Sequence, residues 1–169
     1  MWPQVTLGAS SLRWFARSSA TADDTLILRN KQEQRGHLSA THFLNVDLDI
    51  YSKHDLQPLV KGFGRKVIAL YVGRERGKYV AHLEVAKETK TADSAIWEFC
   101  ALIEALPEAE RGEWNATAVR SFSIGIQAGR QPYSYDFTIR PRTVRAVSIL
   151  GAQIVLTIYA PETAPSRKR

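Results

Sequence analysis

The sequence predicts an α+β domain of the split βαβ, or ferredoxin-like, kind: an antiparallel sheet with helices on one face, extended by a C-terminal αβ unit. Three observations carry that expectation. Apolar and polar residues alternate in "HFLNVDLDIY", His42 to Tyr51, as in a half-buried strand. The alternation returns in "VRSFSIGIQ" and "AQIVLTIYA". Between the first two lies "TADSAIWEFCALIEALP", where Ile96, Phe99, Cys100, Ile103 and Leu106 recur at helical spacing.

Taken in order, the first strand is His42 to Tyr51. A short helix is expected from about Lys53 to Gly62, with Ser52 and Asp55 as a capping box and Leu56, Leu59 and Val60 turned inward. "KVIALYVGRERGKYVAHLEVA" reads as two strands, Lys66 to Val72 and Lys78 to Ala86, joined by the glycine-bounded turn "GRERG". The long helix begins after Thr91, an N-cap residue, and stops before Pro107. Strand four is Val119 to Gln127. The turn-rich "AGRQPYSYD" then leads through an extended piece at Phe137 to Ile139 into a helix with Pro141 at its first position and Gly151 just past its end. Ala152 to Ala160 forms the last strand. This order, β-α-β-β-α-β and then α-β, places one domain at residues 41–160. Residues 1–40 read as a loosely ordered extension and residues 161–169 as a disordered basic tail.

At 169 residues the chain buries about two-thirds of its unfolded surface, enough for a core without staples. No apolar run reaches the ~20 residues that span a bilayer, so no membrane role is expected. Cys100 is the single cysteine, which rules out an internal disulfide and a cysteine-based zinc site and fits a reducing, cytoplasmic compartment. The net charge of +6 divides evenly: five cations against three acids in residues 1–40, three against one in residues 161–169, and +2 over the rest. A nucleic-acid module concentrates cations on its folded face, so nucleic acid is not the expected partner.

Alternation puts Leu44, Val46, Leu48 and Ile50 toward the helices and Asn45, Asp47, Asp49 and Tyr51 on the other side. His82 and Glu84, Ser121, Ser123 and Gln127, and Gln153, Thr157 and Tyr159 join them. Asp47 and Asp49 stand roughly 6 to 7 Å apart, too far to share a proton but close enough to bracket a divalent ion with His82 or Glu84. Solvated sheet residues are the plainer reading, because hard-ion sites gather more carboxylates. Asp47, Asp49, His82, Glu84 and Tyr159 therefore form a candidate binding face. No metal site, cofactor or catalytic residue is assigned.

His37, His42, His54 and His82 lack metal-ligand spacing, no G-x-S-x-G is present, and no glycine loop that cradles phosphate occurs. "KGFGRK", Lys61 to Lys66, fits a helix terminus. Cys100 lies on the apolar stripe and is expected to be core. Trp97 and Trp114 are expected to cap the core or anchor an interface. Arg130, Tyr133, Tyr135 and Arg140 make the 129–140 loop the candidate interface loop.

"LNVDLDIYSKHDLQPLV", "TADSAIWEFCALIEALP", "VRSFSIGIQAG" and "RPRTVRAVSILGAQIVLTIYAP" together resemble bacterial proteins grouped as domain of unknown function 4279, over residues 42–160. That resemblance implies a compact α+β domain of bacterial type, with Gly125, Gly151 and Tyr159 as structural positions and no catalytic residue to carry over. The expected function is binding of another protein, to which analogy of architecture adds the neutralisation of a toxin. The alternative is a small ligand- or metal-binding domain or enzyme on the open sheet face. Sequence gives no oligomeric state.

Overall fold

A computed structural model describes residues 40–161. The N-terminal extension and the basic tail, apart from the residue of each that adjoins the domain, lie outside the described residues. The elements are β1 (His42–Ser52), α1 (Gln57–Phe63), β2 (Val67–Glu75), β3 (Lys78–Val85), α2 (Ala92–Glu104), α3 (Glu108–Ala116), β4 (Val119–Gln127), α4 (Pro141–Ile149) and β5 (Gln153–Tyr159). They form an α+β fold around one five-stranded sheet of order β2-β3-β1-β4-β5. Central β1 runs antiparallel to both β3 and β4, which gives the first four strands the order of a split βαβ sheet. Among the described residues no helix is long and apolar enough to cross a membrane.

The sheet is mixed, where the alternation predicts an antiparallel one. β5 pairs with β4 in parallel, Phe122 opposite Ile154 and Ile126 opposite Ile158. The helix between them is the reason, since a crossover returns the chain to the end from which it started. α4 starts at Pro141, whose missing N–H falls where a helix has no partner for one. It ends in a Schellman motif: Ala152 N–H donates to Val147 O, Gly151 N–H donates to Ser148 O, and Gly151 takes φ 62°. A Cβ on Gly151 would also stand 2.8 Å from Arg120 Nη1. Glycine therefore sets the angle at which β5 enters the sheet.

The core lies between the sheet and the helices. Val46, Leu48 and Ile50 of β1, Leu83 of β3, and Phe122 and Ile124 of β4 meet Ile96, Phe99, Cys100 and Ile103 of α2. Thr91 caps α2 as expected: its hydroxyl accepts from Ser94 N–H, while Ser94 Oγ accepts from Thr91 N–H. Cys100 is buried, and that burial pushes its thiol up to about 12. Phe99 and Phe122 pack at 5.9 Å between ring centroids.

Several local expectations are corrected. α1 begins at Gln57, four residues later than expected, and has no side-chain cap. Ser52 and Asp55 instead serve turns before it, accepting from His54 N–H and Gln57 N–H. The hairpin turn is the two residues Arg76 and Gly77, both at positive φ, so β2 runs through Gly73 to Glu75. Charged "EAERGEWNA" is helix α3, with no apolar stripe to betray it beyond Trp114, which is buried and donates its indole N–H to Leu150 O.

A β-bulge shifts the register of β1 between Phe43 and Val46, where Leu44 and Asn45 together face Gly125. Leu44, expected toward the helices, is turned out and exposed, and Phe43 packs on the core in its place.

Candidate functional site

The sheet face away from the helices is a stack of cross-strand neighbours centred on β1. Asp47 stands opposite Glu84 on β3 and Ser123 on β4. Asp49 stands opposite His82 and Ser121. Side chains alternate along each strand, so these registers fix which groups meet.

Asp49 is the hub. Its Oδ1 lies 2.6 Å from His82 Nδ1, and its Oδ2 accepts the hydroxyl of Ser123. The imidazole is held on two more sides, by Tyr51 edge-on at 6.3 Å and by Tyr71 at 6.0 Å. Asp47 accepts from Asn45 Nδ2 at 2.9 Å. Burial, then the charges of Asp49 and Glu84, push the Asp47 carboxyl up to about 6, against an opposing pull from His82. Burial, and then Asp49 and Glu75, likewise raise the Tyr51 hydroxyl.

Serine, aspartate and histidine thus meet, but the carboxylate stands in the middle. A serine nucleophile is activated when its hydroxyl donates to a base such as imidazole. Ser123 donates to Asp49 instead, leaving His82 no bond through which to draw off that proton. Among the described residues no group of three or more His, Cys, Asp or Glu side chains is placed to hold a metal ion. What the face presents is acid and aromatic surface.

Four of the five residues of the candidate face come together around β1. Tyr159 is set apart at the sheet edge, exposed, with Cε2 3.6 Å from the place a Cβ on Gly125 would occupy. The same Cβ would stand 2.9 Å from Asn45 Oδ1, so the bare Cα of Gly125 leaves room for Asn45 to reach Asp47. Tyr71, Leu44 and Ile68 are exposed neighbours that the sequence did not assign to this face. "KVIALYV" has no alternation to read, and β2 carries its own bulge between Ala69 and Tyr71. Leu44 is placed by the bulge in β1.

The 129–140 loop divides into two kinds of residue. Arg130 and Tyr133 are exposed. Tyr135 turns inward and its hydroxyl accepts from Phe43 N–H at 2.9 Å. Arg140 N–H donates to Asp93 Oδ1 at 2.8 Å, with Nε 3.7 Å from Oδ2. Burial opposes charge on Asp93, yet this backbone bond and the charges of Arg140 and Arg142 hold its carboxyl below the usual range. Tyr135 and Arg140 fix the loop to β1 and α2 and line a cleft of about 330 Å³ with Phe43 and Asp93. Trp97 is half exposed beneath the guanidinium of Arg142, 4.6 Å from the ring centroid.

Fold and face together define an α+β domain with an open, partly acidic sheet surface. No family model, no curated protein and no solved structure matches this chain.

Proposed function

We propose that the chain is a protein-binding module whose open sheet face takes a partner surface rich in Lys and Arg. The observation that carries this reading is a local reversal of charge. The chain has a net charge of +6, yet Asp47, Asp49 and Glu84 lie on neighbouring strands, and Arg120 of β4 is turned to the helix side over Trp114. Exposed Leu44, Ile68 and Tyr71 add apolar area, the mixture that protein interfaces use. Like charges gathered on a face lose mutual repulsion when cations cover them. Membership of the bacterial family named above, a cytoplasmic setting and a toxin-neutralising role belong to the same proposal, supported by the sequence likeness and by the lone, buried Cys100.

The test is capture from native lysate with the full chain and with an Asp47→Asn, Glu84→Gln double variant as bait. The expected result is a basic protein recovered at low salt, released by added salt and lost with the double variant. Recovery of no partner, or equal recovery by both baits, overturns the reading. If the role is neutralising, expressing the captured partner alone arrests growth and co-expressing this chain restores it.

A second reading, a small-ligand or enzyme site on the same face, is favoured by one observation: an Asp47 carboxyl that titrates at about 6 can give and take a proton near neutrality. A thermal-shift screen with divalent cations and small amines separates the two, since a bound ligand raises the melting point by mass action. No ligand shifting the wild type more than Asp49→Asn would remove this second reading.

A further inference from the structure

We propose that β5 is a homodimer seam, pairing antiparallel with β5 of a second copy about a two-fold axis at Leu156, so that two sheets become one. β5 ends the sheet and, among the described residues, is bonded on its β4 side only. All seven of its residues are exposed, Ile158 by 64%. Tyr159 O accepts from Ala128 N–H on the β4 side, so alternation turns the N–H and C=O groups of Ile154, Leu156 and Ile158 outward. Among the described residues these groups have no backbone partner, and they line an apolar edge.

Natural sheets blunt such edges with charge, proline or a bulge. The other edge does so: β2 has a bulge at Leu70 and ends in Arg74 and Glu75. "QIVLTIY" has no charge and no proline, and its pairing with β4 has no register shift. An edge left open in this way is suited to being covered.

A second copy is the occupant because the strand is close to palindromic. Centred on Leu156, the antiparallel register sets Leu156 against Leu156, Ile154 against Ile158, Val155 against Thr157 and Gln153 against Tyr159. Each outward-turned residue meets another, as a bonded antiparallel pair requires. The Ile and Leu side chains form an unbroken apolar ladder on the helix side, and no like charges are brought together. The helix leading into β5 adds exposed Val144 and Ile149, the latter by 70%. These side chains offer on the order of several hundred Å² per copy, approaching the ~800 Å² that a standard interface takes from each partner. Such an interface is isologous and closes as a dimer.

The experiment is light scattering on the full chain, with Leu156→Lys and Leu70→Lys compared with the wild type. The wild type is expected at twice 19.0 kDa, dissociating on dilution, with Leu70→Lys unchanged. Leu156→Lys, which sets two cations face to face at an exposed and therefore tolerant position, is expected at the monomer mass, with the melting point of wild type diluted until it dissociates, since association stabilises the fold by mass action. A Leu156→Cys variant checks the register. Facing Cα atoms in a bonded pair are about 5.5 Å apart, so a short bifunctional thiol reagent is expected to yield a covalent dimer that the wild type, with Cys100 buried, does not form. A wild type that is monomeric at every concentration, or a dimer that survives Leu156→Lys, overturns the proposal. These variants lie outside the acidic face, so their failure and the failure of the binding reading are separate results.

Discussion

Asp49 Oδ1 and His82 Nδ1 lie 2.6 Å apart across the β1–β3 pair, and the other oxygen of the same carboxylate takes the hydroxyl of Ser123 on β4. One side chain on the central strand thus ties three strands together on the open face. Asp49→Asn keeps the shape but removes the charge, so the charge-assisted bonds to His82 and Ser123 are exchanged for weaker neutral ones. We expect a destabilisation of about 1 to 2 kcal/mol, read by urea denaturation. The same substitution removes a charge that raises Asp47. The Asp47 titration, followed by carboxyl NMR, is expected to move down from about 6 toward the ordinary 3.8, part of the rise remaining because burial is its larger cause.

Stability should also depend on pH through Asp47. Its folded-state pKa lies above the unfolded value of 3.8, so between 3.8 and about 6 the folded chain binds the extra proton. This contribution is fully present below 3.8 and is lost as pH rises to about 6 and beyond. Asp47→Asn is therefore expected to be more stable than the wild type above pH about 6, by roughly 1 kcal/mol, and equal to it in acid. Melting curves across the range check both the sign and the window.

Arg120 is held by four hydrogen bonds. Nε donates to Thr117 Oγ1, Nη1 to Leu150 O, and Nη2 to the carbonyls of Asn115 and Thr117. It thereby satisfies carbonyls at the C-terminal ends of α3 and α4 that the helices leave unpaired. Arg120→Met keeps the stem and removes the donors, and is expected to destabilise by about 2 to 4 kcal/mol in urea.

Gly151 and Gly77 form a controlled comparison. Both have positive φ, but a Cβ at Gly77 meets nothing within 4 Å, whereas one at Gly151 meets Arg120 Nη1. Gly77→Ala is expected to cost about 1 kcal/mol from backbone strain alone, and Gly151→Ala more, because it also disturbs the Arg120 network. Chemical denaturation of the two variants gives the difference directly.

Cys100 should be inert in the folded chain. The thiol is buried and pushed up to about 12 by burial and by the charge of Glu104. A thiol reagent is expected to label it only in denaturant, since the thiolate is the reactive form. Labelling of the native chain at the rate of a free thiol would show that α2 opens.

The sequence by itself determined the elements whose apolar residues keep a period. β1, β4 and β5 were legible from alternation, α2 from its 3.6-residue stripe, and α4 from Pro141 and Gly151 at its ends. The polar face followed, since alternation puts Asp47, Asp49, His82 and Glu84 on one side without reference to tertiary contacts. Tertiary structure decided the rest. The bulge that turns Leu44 outward depends on Gly125 of another strand, distant in sequence and opposite it in space. Helix α3 rests on one buried tryptophan bonded to Leu150, and Tyr135 owes its inward turn to Phe43 N–H. Which atom stands between Ser123 and His82 is a matter of strand register. Periodicity reports which side a residue faces, whereas the identity of its neighbours is set by pairing between distant strands, which local spacing does not encode.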